Sequence, residues 1–151
     1  MERFLSVQNS DFDIGAETEA LKSRGAGALV SFIGTVRDSS DDANLVALWL
    51  EHYPAMTEQE IDRIISAAAE RWPLSAARVI HRVGRLLPSE NIVFVGVACP
   101  HRDAAFEAGR FIMDYLKSAA PFWKAEESKT GKIWVDARKT DLEAMARWNL
   151  S

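Results

Sequence analysis

Apolar residues recur at helical intervals in two long segments of the chain, and both segments are predicted to be helices. The first is expected to begin at Thr57, because Thr57 and Glu60 have the spacing of a capping box, and to end before Pro73. The second runs from Asp103 to about Ala119. The residues expected on the two buried faces are Ile61, Ile64, Ile65, Ala68 and Trp72 in the first helix and Ala105, Ala108, Ile112, Tyr115 and Leu116 in the second.

Shorter apolar segments, rich in β-branched and aromatic residues, predict the strands. The segment from about Ala28 to Val36 is apolar on both faces and is predicted to be a buried strand. Further strands are expected at residues 3–8, 45–53, 77–87, 91–99 and 132–138, with short helices after Asp13 and over residues 141–148. Residues 119–123 are predicted to form a stiff apolar turn. Because helices and strands do not alternate regularly, the pattern favours an α+β fold with a mainly antiparallel sheet.

The composition is that of an ordinary globular protein, and it narrows the possible functions. A chain of 151 residues predicts one domain that covers residues 1–151. The net charge of −4 argues against a general nucleic-acid-binding protein. Cys99 is the one cysteine, and the three histidines lack the spacing of a zinc site, so neither a metal nor a cofactor is expected. The sequence shows neither a signal segment nor a membrane span, and a cytoplasmic location is expected.

Three basic residues lie at the ends of predicted strands or helices and could bind an anion. His101 and Arg102 come just before the second long helix, whose free amides and dipole attract phosphate or carboxylate groups. A histidine near a helix cap and a solvent-exposed arginine would explain this pair equally well. Arg37 ends a predicted strand, and taken alone it is better explained by an ion pair with a neighbouring aspartate. The residues alone therefore leave binding and structural roles open.

Two lysines, Lys117 and Lys124, flank the predicted proline-aromatic turn, and Arg138 ends the last predicted strand. Partial desolvation by the turn would lower the pKa of a lysine, which is how such amines become bases or nucleophiles near neutral pH. A cation is also favoured at a helix C-terminus for structural reasons, and Lys124 could be solvated or paired with a glutamate. Taken singly, each of the three is more often structural.

Four motifs in fixed order resemble one known family. They are SFIGTVR, LEHYPAMT, HRVGRLLPSE and CPHRDAAFEAGRFIMDYLKSAAPFWKAE, and the resemblance extends from about Phe4 to Trp148. The family is MoaE, the catalytic large subunits of molybdopterin synthase. The resemblance implies an α/β-hammerhead fold and a homodimer of this chain. It also implies a small ubiquitin-like sulfur-carrier partner that docks at each end of the homodimer, giving a heterotetramer.

The resemblance further implies a reaction and the residues that perform it. Members of the family convert cyclic pyranopterin monophosphate (precursor Z) into molybdopterin, with sulfur from a thiocarboxylate on the carrier's C-terminal Gly-Gly tail. The expected catalytic residues are Lys117 and Lys124, and the expected substrate-binding residues are Arg37, His101, Arg102 and Arg138. No metal is required, because the sulfur nucleophile arrives preformed on the partner.

Two other functions remain open at this point. The chain could be a non-catalytic dimeric module that binds a ubiquitin-like partner through a sheet edge. Alternatively, it could be a partner-independent cyclic phosphate hydrolase with His101 as its base. The hydrolase would consume a cyclic phosphate without a second protein, whereas the synthase would be inert without one.

Overall fold

The structure, a computed structural model, describes residues 1–40, 43–135 and 139–149. The strands are β1 (Glu2–Gln8), β2 (Ala28–Thr35), β3 (Ser39–Ser40), β4 (Ala43–Asn44), β5 (Ala47–His52), β6 (Ala76–Arg82), β7 (Gly84–Leu86), β8 (Asn91–Cys99), β9 (Phe122–Ser128) and β10 (Gly131–Val135). The helices are α1 (Ile14–Ala20), α2 (Met56–Arg71), α3 (Arg102–Ser118) and α4 (Lys139–Ala146), followed by a 3-10 turn at Arg147–Asn149.

The strands form two four-stranded sheets and one two-stranded ribbon. The first sheet has the order β1-β6-β8-β2, the second has the order β10-β9-β5-β7, and β3 pairs with β4. Among the strands described, β1 and β6 run parallel and the other pairs are antiparallel. The predicted α+β class, with mainly antiparallel pairing and two main helices, is therefore confirmed, although the strands are divided between separate sheets.

The main core lies between the first sheet and the two long helices. The apolar faces of α2 and α3 pack on side chains of β6 and β8, such as Val79 and Val95, which are almost fully buried. On the opposite face of this sheet, Leu21 packs against Ile80 and Phe94. Both predicted helical faces lie in the interior, because the 3.6-residue period places them on one side of each helix. Within the described residues, no helix is both long enough and apolar enough to cross a lipid bilayer.

The beginning of α2 differs from the prediction. The helix starts at Met56, and the carboxylate that caps it belongs to Glu58, which accepts the backbone N–H of Ala55 at 2.7 Å. Thr57 is fully buried, and its hydroxyl donates to the carbonyl of Tyr53 at 2.8 Å. The predicted capping box of Thr57 and Glu60 is therefore wrong, because Thr57 already lies in the first turn and its hydroxyl bonds back to the preceding turn.

Strand β2 is less buried than its apolar sequence suggests. It pairs with β8 alone and forms one edge of the first sheet. Phe32 is 44% exposed, and Ser31 is exposed as well. The prediction of full burial is wrong, because apolar residues on both faces of a strand do not show whether both faces are covered.

The predicted strand over residues 77–87 is divided between the two sheets. β6 ends at Arg82 in the first sheet, and β7 begins at Gly84 and pairs with β5 in the second. Gly84 has a φ of +98°, a left-handed value that favours glycine. A Cβ at this position would also lie 2.3 Å from the side-chain nitrogen of Asn9. The chain changes sheets at this glycine.

The predicted turn over residues 119–123 is also wrong in its second half. Helix α3 ends at Ser118, and β9 begins at Phe122, so three residues make the connection. β9 is a central strand that pairs with β5 on one side and with β10 on the other. Phe122, Trp123 and Lys124 therefore lie in a regular strand, whose conformation depends on partners distant in the sequence.

Candidate functional site

A cavity of about 550 Å³ lies where the two sheets meet beside the end of α3. The end of β2, from Gly34 onward, forms one wall, and the last turns of α3 form another. Leu48 and Leu50 of β5 form an apolar base, together with residues of β8 and β9. The volume falls within the range of about 300–1,000 Å³ that is usual for small-molecule sites.

The cavity brings together three of the predicted site residues. Arg37 follows β2, Lys117 lies in the last turn of α3, and Lys124 lies on β9, and all three line the cavity. Arg37 and Lys117 are exposed, whereas Lys124 is half-buried. Lys124 pairs in register with Leu50 on one side and with Val135 on the other, so its stem is flanked by apolar side chains. The site therefore concentrates positive charge over an apolar base.

Glu126 is a cavity residue whose site role the sequence reasoning did not predict. It lies two residues after Lys124 on β9 and therefore on the same face of the strand, and it lines the same cavity. From the sequence, this glutamate is interpreted only as a possible ion-pair partner of Lys124. The alternation of Phe122, Lys124 and Glu126 was the available signal, and it was concealed because the predicted turn over residues 119–123 includes Phe122.

His81 is a second cavity residue that the sequence reasoning missed. Its Nδ1 lies 2.8 Å from the carbonyl oxygen of Arg82, so this nitrogen carries the hydrogen and donates it. Its ring stacks on Phe122, with centroids 3.8 Å apart and planes inclined by 19°. Burial lowers the pKa of His81 to about 4, the charges of Lys117 and His52 act in the same direction, and the bond to Arg82 opposes them. The imidazole is therefore neutral near pH 7.

His101 and Arg102 do not line this cavity. His101 is the N-cap residue of α3 and Arg102 is its first residue, and both side chains are exposed. They are thus separated from Lys117 by the length of a 17-residue helix, about 25 Å. His101 occupies the N-cap position, as the structural explanation expects, but its side chain makes no hydrogen bond to the helix start. Within one chain, the five predicted site residues that the structure describes fall into two separate groups.

Arg138 lies outside the described residues. Among the residues that the structure describes, no three His, Cys, Asp or Glu side chains are grouped so that they could hold a metal ion. Cys99 is fully buried at the end of β8, and burial raises the pKa of its thiol. A raised thiol pKa disfavours the nucleophilic thiolate.

Comparison with known proteins identifies the family. A family model described as MoaE protein matches residues 7–119. The molybdopterin synthase catalytic subunit of Ralstonia nicotianae is 54% identical over 148 residues, which cover 97% of this chain and 84% of the relative. The molybdopterin biosynthesis MoaE protein of Burkholderia ambifaria has a TM-score of 0.83 and 47% identity, with 100% of both chains covered. The molybdopterin synthase of Staphylococcus aureus has a TM-score of 0.82 and 28% identity, with 86% of this chain and 95% of that chain covered. The chain therefore belongs to the MoaE protein family, that of the molybdopterin synthase catalytic subunits.

Proposed function

We propose that this chain transfers sulfur from a thiocarboxylate on a small partner protein to cyclic pyranopterin monophosphate, forming the dithiolene of molybdopterin. The observation that supports this proposal best is a cavity lined by Arg37, Lys117 and Lys124 in a protein that has no accessible thiol. The one cysteine is buried in the first sheet with a raised thiol pKa. The sulfur must therefore be supplied from outside the chain.

A protein-bound thiocarboxylate suits this cavity for electrostatic reasons. The group is anionic, and three cationic side chains around an apolar base attract an anion more strongly than the same charges in open solvent would. In each transfer the thiocarboxylate sulfur bonds to a substrate carbon as an oxygen leaves that carbon. Water then cleaves the acyl carbon–sulfur bond, which leaves a thiol on the substrate and a carboxylate on the tail. The relatives are named as catalytic subunits, which supports a second subunit as the source of the sulfur. We assign that role to a small ubiquitin-like protein with a C-terminal Gly-Gly tail.

The two lysines have different surroundings and are assigned different tasks. Lys117 is exposed at the end of α3, where an incoming tail can reach it, and we propose that it contacts the terminal group and the reacting carbon. It acts there as a general acid/base or stabilises developing negative charge. Lys124 is half-buried on β9, and its more enclosed position suits substrate positioning or proton transfer.

The phosphate of the substrate is assigned to the arginines and to His101. Arg37 has a guanidinium suited to bidentate contact with phosphate, and it lies at the cavity wall. His101 and Arg102 lie about 25 Å along α3 from Lys117 and cannot contact the same small substrate within one chain. Their assignment to the phosphate site therefore requires that they reach the cavity of a second copy. This requirement agrees with a homodimer inside a heterotetramer. Arg138 is assigned to substrate binding by the resemblance alone.

The alternative functions have weaker support. A hydrolase that uses His101 as its base would need this residue beside the cationic cavity, and His101 lies at the opposite end of α3. A non-catalytic module would have no need for three cationic residues to converge on a cavity with a half-buried lysine. The cytoplasmic location and the single-domain organisation stay predictions.

The experiment that tests the proposal measures dithiolene formation from cyclic pyranopterin monophosphate by the purified chain. One sample contains the carrier as its thiocarboxylate, a second contains the carrier with an ordinary carboxylate, and a third contains no carrier. Product is expected in the first sample only. Consumption of the cyclic phosphate without carrier would instead indicate the hydrolase. Carrier binding without product would indicate the non-catalytic module.

A further inference from the structure

Phe122 lies between two histidines that belong to different sheets. His81 is on β6 in the first sheet, and its ring is stacked on Phe122 at 3.8 Å. His52 is on β5 in the second sheet, and its ring is tilted by 35° at 6.3 Å from Phe122. Phe122 itself begins β9 in the second sheet. The stacked contact between His81 and Phe122 therefore joins the two sheets beside the cavity.

The two sheets hold different parts of the cationic site. Arg37 lies two residues after the end of β2, and α3, which carries Lys117, packs against β2 and β8 of the same first sheet. Lys124 belongs to β9 in the second sheet, two residues after Phe122 and on the same face of the strand. The distance from Lys124 to the other two cations therefore depends on how the first sheet meets the second.

Hydrogen bonds through Arg82 hold the ring of His81 in place. Its Nδ1–H donates to the carbonyl of Arg82, and the guanidinium of Arg82 donates in turn to the carbonyl of Asn9 at 2.9 and 3.0 Å and to that of Asn91 at 3.0 Å. Arg82 is 6% exposed, so these bonds are sheltered from water. An imidazole fixed at one nitrogen and stacked on one face has little freedom to rotate. It can therefore fix the position of the ring that it contacts.

We propose that His81 is a positioning residue, which stacks on Phe122 and thereby sets the position of Lys124 relative to Lys117 and Arg37. The inference rests on the proposed sulfur transfer for its effect on rate, but its effect on geometry can be observed without the reaction. His81 acts through Phe122 and does not contact the reacting atoms. The flat ring is the property that matters, and the neutral state of the imidazole avoids adding a charge beside Lys117.

The experiment compares three substitutions at position 81. His81→Phe keeps a flat ring, His81→Leu fills similar space without one, and His81→Ala removes the side chain beyond Cβ. For the leucine and alanine variants, kcat is expected to fall about 10- to 100-fold with KM changed less than about threefold, because a small misplacement of a reacting group costs about that much. His81→Phe is expected to retain kcat within about threefold. When His81→Ala is added to a protein that already carries Phe122→Ala, kcat should change little further, because the contact between the two rings is already absent.

A second measurement uses the protein without substrate or carrier. The amide ¹H–¹⁵N chemical shifts of Trp123 to Glu126 are expected to move in His81→Leu and to stay close to wild type in His81→Phe. Unchanged β9 shifts in His81→Leu would overturn the positioning role, whatever the activity. A phenylalanine variant that keeps wild-type β9 shifts but is as slow as the leucine variant would overturn it too, since His81 would then act other than through the position of β9. If wild type forms no dithiolene but the shifts move as expected, the proposed function fails and the positioning role stands.

Discussion

Trp148 donates its indole N–H to a carboxylate oxygen of Asp114 at 2.6 Å, and this bond joins the 3-10 turn after α4 to the middle of α3. The indole also meets Trp72 and Phe111 edge to face, at 5.7 and 5.4 Å between centroids. The guanidinium of Arg71 lies 5.2–5.5 Å from the centroids of all three rings. Trp148 is thus anchored to the helical layer by this bond, by a bond from Arg71 to its carbonyl at 3.3 Å, and by an aromatic cluster.

Removal of this anchor is expected to destabilise the protein. Trp148→Ala should lower the free energy of unfolding by about 2–3 kcal/mol, below the roughly 3–5 kcal/mol of a fully buried tryptophan, because the ring is half-buried. Trp134→Ala is the matched control, since that indole is 50% exposed and should cost less than about 1 kcal/mol. Urea denaturation measures both values. Equal losses in the two variants would contradict the anchoring role.

The proposed role of Lys117 predicts a specific loss of turnover. Lys117→Ala should lower kcat for dithiolene formation at least about 100-fold, because proton transfer by a positioned group contributes about that factor or more. The fold should be unaffected, since the side chain is exposed at a helix end. Lys129→Ala, an exposed lysine in the turn between β9 and β10, is the control and should retain wild-type turnover. Normal conversion of the substrate by Lys117→Ala would refute the assignment.

The proposed role of Arg37 predicts a loss of substrate affinity. Arg37→Ala should weaken binding of cyclic pyranopterin monophosphate about 10- to 100-fold, because a hydrogen bond to a charged group is worth about 1.5–3 kcal/mol. The substrate affinity of Arg37→Lys should lie between those of wild type and Arg37→Ala, because an ammonium keeps the charge but cannot make the bidentate contact. Titration calorimetry with the substrate measures the affinity, with Arg24→Ala as an exposed control. Full affinity in Arg37→Ala would remove this residue from the phosphate site.

Ala55 has a backbone conformation that alanine rarely adopts, and replacing it should stabilise the protein. Its φ is 69° and its ψ is −48° at the start of α2. Ala55→Gly is expected to raise the free energy of unfolding by about 1 kcal/mol, because glycine adopts positive φ without the steric cost to Cβ. Ala67→Gly, inside the same helix, should have the opposite sign and cost about 1 kcal/mol. A loss of stability in Ala55→Gly would show that position 55 is unstrained.

Protonation of Glu127 is expected to contribute to the loss of stability at low pH. Hydrogen bonds from Arg85 and from the indole of Trp49 lower the pKa of this carboxyl to about 2 from an ordinary value of 4.5. Its stabilising contribution is therefore complete above pH 4.5 and is lost as the pH falls through about 2, because the unfolded chain takes up the proton first. Glu127→Gln should show a shallower fall in melting temperature between pH 4.5 and 2. An identical acid slope in wild type and variant would disprove this contribution.

The sequence predicted the elements whose structure is determined locally. Helix α3 was placed almost to the residue, because Ala105, Ala108 and Ile112 repeat with the helical period whatever the rest of the chain does. Strand β9 was missed because its conformation depends on pairing with β5 and β10, and nothing within Phe122–Ser128 indicates those partners. A strand with a proline before it and three charged residues within it lacks the local signals of a central strand.

The candidate site was predicted in its residue types but not in its arrangement. Arg37, Lys117 and Lys124, three of the expected site residues, line one cavity, and their roles stay predictions. The motif that contains His101 and Lys117 is continuous in sequence, but a helix is rigid and places its two ends about 25 Å apart. The sequence did not indicate His81 because residues 77–87 are predicted to be one strand. His81 faces the second sheet only because the chain leaves the first sheet after Arg82.

The change of sheet at Gly84 has a consequence for how the protein tolerates substitution. The chain passes from the first sheet to the second at this glycine, and residues of both sheets line the cationic cavity. A side chain at position 84 would be disfavoured by its backbone conformation, and it would push aside the amide of Asn9, which donates to the carbonyl of Val83 at 2.8 Å. A mutational scan is therefore expected to find that side chains at position 84 lower stability and, because this joint connects the two sheets that line the cavity, lower activity with it.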